Sequence, residues 1–128
     1  MNEATGDALS RLETMVLMAG IDLPMKAIRQ QVASAIDLIV QLSRMRDGQR
    51  KVTSITEVTG MEGDTITMQE IFIYESHGAD KEGMMTGVFR PTGIRPHIMD
   101  KLFAAGVPIP PELARVFPDR RASERTGK

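Results

Sequence analysis

The run Ile36-Asp37-Leu38-Ile39-Val40-Gln41-Leu42, followed by Asp47-Gly48 and then by the mixed β-branched and polar stretch 52–58, decides the fold class. Branched apolar residues crowd the first run, which has too few polar positions for an exposed helix, so residues 36–42 read as a largely buried strand. Asp47-Gly48 tolerates the positive φ angles of a primed turn and marks a hairpin, with residues 51–59 as the return strand. Gly60-Met61-Glu62-Gly63-Asp64 makes the next turn, and residues 65–74 alternate Ile66, Met68, Glu70 and Phe72 against Thr67, Gln69, Ile71 and Ile73. The expectation is a three-stranded antiparallel meander.

Upstream, the period is helical. Leu9, Leu12, Val16 and Ala19 follow three-and-four spacing over residues 7–19, with Asp7 as a cap and Gly20 as a terminator. Asp22 and Pro24 open a second helix whose inner face is Met25, Ile28, Val32 and Ala35, and whose wet side holds Lys26, Arg29, Gln30 and Gln31. The two form a helical hairpin. Downstream, residues 75–87 contain Gly78, Gly83 and Gly87 without an apolar period and read as an exposed loop. Phe89-Arg90-Pro91-Thr92-Gly93-Ile94-Arg95-Pro96 is extended, because each proline disfavours helix at the residue before it. Pro96 then opens a helix with inner face Ile98, Met99, Leu102 and Phe103, and a last short helix covers 111–116. The predicted class is α+β, with residues 1–117 as a single or partial domain and a disordered basic tail at 118–128.

Composition narrows the function classes. The chain has 128 residues, 41% hydrophobic and 26% charged, with 16 Lys plus Arg against 17 Asp plus Glu. At this length roughly two-thirds of the unfolded surface is buried on folding, enough for a core without cross-links. The absence of Cys excludes a disulfide scaffold, a thiolate zinc site and a Cys nucleophile, and agrees with a reducing compartment. A formal net charge of −1 supplies no overall field for nucleic acid, and five aromatics are too few for a base-stacking platform, so no nucleic acid is expected. Nothing approaches the roughly 20 apolar residues of a membrane-spanning helix. The acidic first residues lack a basic leader region, which gives a cytoplasmic expectation.

A search for catalytic constellations returns little. His77 and His97 are 20 positions apart, with no carboxylates at metal-ligand spacing, and read as surface histidines. No Ser sits in a Gly-x-Ser-x-Gly elbow. Gly127-Lys128 resembles the end of a Walker A loop, but Ala122 stands where the first Gly belongs and no Ser or Thr follows the Lys. The acids Glu62 and Asp64 would repel phosphate from the turn at 60–64. Arg44, Arg46, Arg50 and Lys51 around Asp47-Gly48 form the most basic local patch, which fits either contact with an anionic partner or a solvated hairpin tip.

Three longer stretches carry a resemblance. They are Asp7-Ala8-Leu9-Ser10-Arg11-Leu12-Glu13-Thr14-Met15-Val16-Leu17-Met18-Ala19-Gly20, Ile28-Arg29-Gln30-Gln31-Val32-Ala33-Ser34-Ala35-Ile36-Asp37-Leu38-Ile39-Val40, and Thr56-Glu57-Val58-Thr59-Gly60-Met61-Glu62-Gly63-Asp64. Together they resemble the C-terminal part of the CpaF-type pilus assembly ATPases, also called tight-adherence or Flp pilus ATPases, of the type II/type IV secretion ATPase superfamily. The stretch 90–96 is similar to that family's C-terminal signature, and the similarity covers about residues 7–113.

The resemblance implies the last portion of a RecA-like motor domain, working as a hexamer on the cytoplasmic side of the inner membrane. The intact family uses ATP and Mg to drive pilus assembly or secretion. Its Walker A loop, Walker B strand and histidine box precede the part matched at Asp7, so no catalytic residue carries over and this chain by itself is expected to be inactive and to hold no cofactor. Met1 then reads as a start inside a longer ancestral gene. The matched part of such motors helps form subunit contacts, which makes Arg11, Glu13, Arg44, Arg46 and Arg95 the candidate interface residues, with self-association or other motor subunits as partners. A stand-alone interaction module or regulator of a secretion motor is the alternative.

Overall fold

In the computed structural model, which describes residues 3–118, the chain is α+β, with two helices before and two short helices after a four-stranded antiparallel sheet in chain order. Helix α1 (Glu3–Met18) begins before Asp7, so Asp7 is not its cap; the carboxylate instead pairs with Arg11, one turn on, at 3.1 Å. Helix α2 (Met25–Ala35) starts after Pro24 with no side-chain cap, which leaves Asp22 in the connection instead of at the helix start. Pro24 has the extended geometry of a residue entering a helix, φ −57° and ψ 147°.

Strand β1 (Leu38–Arg44) begins two residues later than the sequence suggests, because Ile36 closes α2 by donating its N–H to the Val32 carbonyl at 3.0 Å. Strand β2 (Arg50–Glu62) returns through a turn in which Gly48 N–H donates to Met45 O at 2.9 Å and Gly48 alone takes a positive φ, +88°. Asp47 keeps a negative φ, so this is not the primed two-residue turn expected of the pair. Strand β3 (Thr65–Ala79) pairs with β2, and β4 (Met85–Pro91) pairs with β3, giving the order β1-β2-β3-β4.

The fourth strand overturns the three-stranded expectation and most of the loop at 75–87. Residues 75–79 and 85–87 join a backbone ladder in which Glu75 lies opposite Val88 and Ser76 opposite Gly87. Ladder bonds are made by the main chain and need no apolar alternation when both side-chain faces are wet, so the segment carries no periodic signal. Only residues 80–84 remain a turn. His77 consequently lies in β3 and not in a loop.

Two apolar clusters hold helices to the sheet. Leu9, Ile28, Val32, Val58 and Ile66, with Leu12, Val16, Ile39 and Met68 beside them, join the α1–α2 hairpin to one part of the sheet. Ile28 is almost fully enclosed, and enclosing such a side chain is worth about 1.5–3 kcal/mol. The second cluster joins Ile71 and Phe72 to Met99, Ile109, Leu113 and Phe117. It seats helices α3 (Ile98–Ala104) and α4 (Pro111–Val116), the latter with the bounds the sequence predicts. Of the inner face expected for α3, Met99 is buried in the core as predicted, but Phe103 is 63% exposed. Neighbouring strand residues point to opposite faces, so Val58 in the first cluster and Glu57 beneath α3 put the two helical layers on opposite sides of β2. The predicted disordered tail, apart from Pro118, lies outside the described residues.

Candidate interaction surface

Strand β1, read from the sequence as largely buried, alternates half-buried and exposed residues. Ile39 reaches the α1–α2 core, but Leu38, Val40 and Leu42 are 41%, 50% and 57% exposed. Leu38 stands opposite Glu57 and Val40 opposite Ile55, so the row lies on the α3 side of the sheet. Helix α3 approaches this edge through Lys101, whose Nζ is 3.0 Å from Asp37 Oδ1, and the row beyond Asp37 stays uncovered.

The same strand runs into the arginines of the hairpin tip. Arg44, Arg46 and Arg50 are exposed, and none pairs with a carboxylate among the described residues. The acid nearest in sequence, Asp47, is occupied. Its Oδ1 accepts the Gln49 backbone N–H at 2.9 Å, and its Oδ2 accepts Gln49 Nε2 and the Met85 backbone N–H, each at 2.7 Å. The Gln49 and Met85 N–H groups hold this carboxyl below the usual aspartate range. Lys51 is occupied too, donating to Tyr74 Oη at 3.3 Å and to Met85 O at 3.2 Å. The tip is thus a braced turn carrying three guanidinium groups that meet no carboxylate among the described residues.

The five candidate interface residues do not form one site. Arg44 and Arg46 share the tip. Arg11 is on α1 with Asp7, while Glu13 is used inside the chain: its Oε1 accepts Arg29 Nε at 2.8 Å, which ties α1 to α2. That hydrogen bond, and then the Glu13 charge, holds the Arg29 guanidinium above its ordinary value. Arg29, placed on the wet side by periodicity, therefore braces the helical hairpin and also donates to Asp64 O at 3.2 Å. Arg95 lies before α3 and pairs with Asp100 at 3.3 Å, at the mouth of a groove of about 210 Å³ lined by Met99, Phe103, Ile109 and Phe117. Leu38, Val40 and Leu42 were hidden within an apolar run; their signal is that they share the even positions while Gln41 and Ser43 take odd ones.

Among the described residues no three His, Asp or Glu side chains gather to hold a metal ion, and no helix is long and apolar enough to cross a membrane. What the described residues present at this end is an open strand edge, an apolar row and a cationic tip. No protein-family model matches this chain, and no curated protein matches it.

Proposed function

We propose that this chain is the C-terminal segment of a CpaF-type pilus assembly ATPase and serves as an assembly surface of that motor, with no nucleotide chemistry of its own. Support comes from the stretches at 7–20, 28–40, 56–64 and 90–96, which follow the family's order. The observation that carries the reading is the open edge of β1 with Leu38, Val40 and Leu42 outward, a strand built to lie inside a larger sheet. In the intact motor, ATP and Mg would be held by residues upstream of this segment, and the ring would work against the cytoplasmic side of the inner membrane. The test mixes the purified chain with a separately expressed nucleotide-binding part of such a motor. The expected result is co-elution, with no ATP hydrolysis by the chain alone above a mock preparation. Turnover by the chain alone, or failure to associate, overturns the reading.

One observation favours a second reading, a stand-alone interaction module that regulates a secretion motor. Both helical layers are fixed to the sheet by contacts within the chain, through two apolar clusters and the buried Glu57. On this reading the chain folds alone and captures a pilus or secretion component from cells; capture of none counts against it.

A further inference from the structure

The second apolar cluster is not closed over. Between α3 and α4 it opens into the groove of about 210 Å³, with Met99 and Phe117, 4% and 5% exposed, as its floor and Ile109, Ala114 and Phe103 as its walls. Phe103 lines this concavity yet is 63% exposed, so a large aromatic surface stays in contact with water there. The volume is below the roughly 300–1,000 Å³ of sites for drug-sized ligands and suits one apolar side chain.

The charged residues that line the groove are one pair of opposite sign, Arg95 before α3 and Asp100 within it. They meet through a single hydrogen bond, Arg95 Nη1 to Asp100 Oδ1 at 3.3 Å, and not through the two-pronged contact that a guanidinium and a carboxylate can form. The Asp100 side chain is 62% exposed, so the pair adds little to stability and opens at little cost. A ligand at this mouth has to answer both charges. A carboxylic acid takes Arg95 and leaves Asp100 without its cation. An amine takes Asp100 and leaves the Arg95 guanidinium, only 22% exposed, without its anion. A zwitterion replaces the one contact with two and strands neither charge.

We propose that the groove between α3 and α4 binds a free apolar α-amino acid, with its carboxylate on Arg95, its ammonium group on Asp100 and its side chain over Met99, Phe103 and Phe117. The apolar floor selects the side chain, and the charge pair selects the head group. The site uses neither the edge of β1 nor the motor assignment.

The test titrates the isotope-labelled chain and follows its backbone amide shifts by NMR. The probes are leucine, isocaproate (leucine without the ammonium group), isoamylamine (leucine without the carboxylate) and glycine. Leucine should shift the amides of Met99, Phe103, Ile109 and Ala114 saturably, with a Kd on the order of 1 mM for so small a ligand. The other probes should bind about tenfold or more weakly. Arg95→Gln and Asp100→Asn should each weaken leucine by about tenfold. Asp100→Asn frees Arg95 and should tighten isocaproate by about tenfold. Ala114→Leu fills the groove from an exposed position and should abolish the leucine shifts with the circular dichroism spectrum unchanged. Should Ala114→Leu unfold, the two variants at the mouth still decide.

Equal affinity for leucine and isocaproate, or for leucine and isoamylamine, overturns the proposal. So does the absence of any shift with leucine at about ten times the expected Kd. Leucine shifts that persist in a folded Ala114→Leu variant place the ligand elsewhere and overturn it as well. An isocaproate affinity unchanged by Asp100→Asn does the same, because Arg95 would then not be the group that takes the carboxylate. The titration contains no motor component, so a chain that joins the motor core but ignores leucine sinks this site alone.

Discussion

The carboxyl group of Glu57 on β2 accepts the backbone N–H of His97 through Oε1 and that of Ile98 through Oε2, both at 2.8 Å, across 40 and 41 positions of chain. Oε1 also accepts Gln69 Nε2 from β3 at 2.8 Å, and Glu57 is only 3% exposed. A helix start has N–H groups that its own turns cannot satisfy. Here a strand residue satisfies them, so the fixed entry to α3 depends on the sheet beneath it.

Replacing Glu57 with Ala strips three donors of the acceptor that a nearly buried carboxylate gave them and should lower stability by about 2–4 kcal/mol. Glu57→Gln keeps one acceptor oxygen but presents an amide to the other N–H, and should cost about 1–2 kcal/mol. Urea unfolding measures both. Equal stability of wild type and the Ala variant would show that the helix start is held some other way.

Gly87 is a place where only hydrogen fits. Its φ lies outside the left-handed region, so the constraint is steric: an added Cβ would stand 2.5 Å from Cζ and Oη of Tyr74 and would run into the Glu75 carbonyl. Gly87→Ala should cost about 1–3 kcal/mol, because the backbone oxygen cannot swing aside. Tyr74→Ser in the same chain should recover only part of that loss, since the carbonyl clash remains. Thermal melts of the two single variants and the double variant test this; full recovery would place the whole strain on the tyrosine ring.

The same glycine shows why β4 escaped the sequence. Apolar periodicity reports which side of an element faces a core, and residues 75–79 with 86–87 face none, so Gly78, Gly83 and Gly87 looked like loop punctuation. Helices α1 and α2 and strands β2 and β3 were legible because their apolar spacing matched a covered face. For β1 the composition suggested the strand, but burial was decided by where α3 stops, near Lys101 and Asp37. Arg44 and Arg46 were readable as neighbours because a turn pair separates them from Arg50. The partnerships of Glu57 with Ile98 and of Glu13 with Arg29 join distant positions, and no local pattern encodes either.

Asp47 couples the two hairpin tips, because Met85 N–H from β4 is among its donors. Its folded-state pKa is lowered, chiefly by the Gln49 and then the Met85 backbone N–H. A depressed carboxyl pKa contributes stability that is complete above the unfolded value, roughly 3.9, and is lost as pH falls through the folded value. Wild type should therefore be more stable than Asp47→Asn by a constant margin above about pH 5, and the margin should shrink below about pH 4. Denaturation of both proteins across that range checks the sign. A margin that grows on acidification would mean that the protonated form is the one the turn prefers.

Thr56 offers the opposite test, a polar group whose removal should help. It is 1% exposed in the middle of β2, and its Oγ1 has no hydrogen-bond partner among the described residues. A buried hydroxyl without a partner gives up its hydration and gains nothing in return. Valine has nearly the same shape and the higher strand preference, and replaces the hydroxyl with a methyl group. Thr56→Val should therefore raise stability by about 0.5–2 kcal/mol, visible as a higher melting temperature with an unchanged denaturant slope. A loss of stability of that size would mean that the hydroxyl is engaged in solution, most directly by a water entering the neighbouring groove between Met68, Glu70, Thr92 and Ile94, which Thr56 also lines.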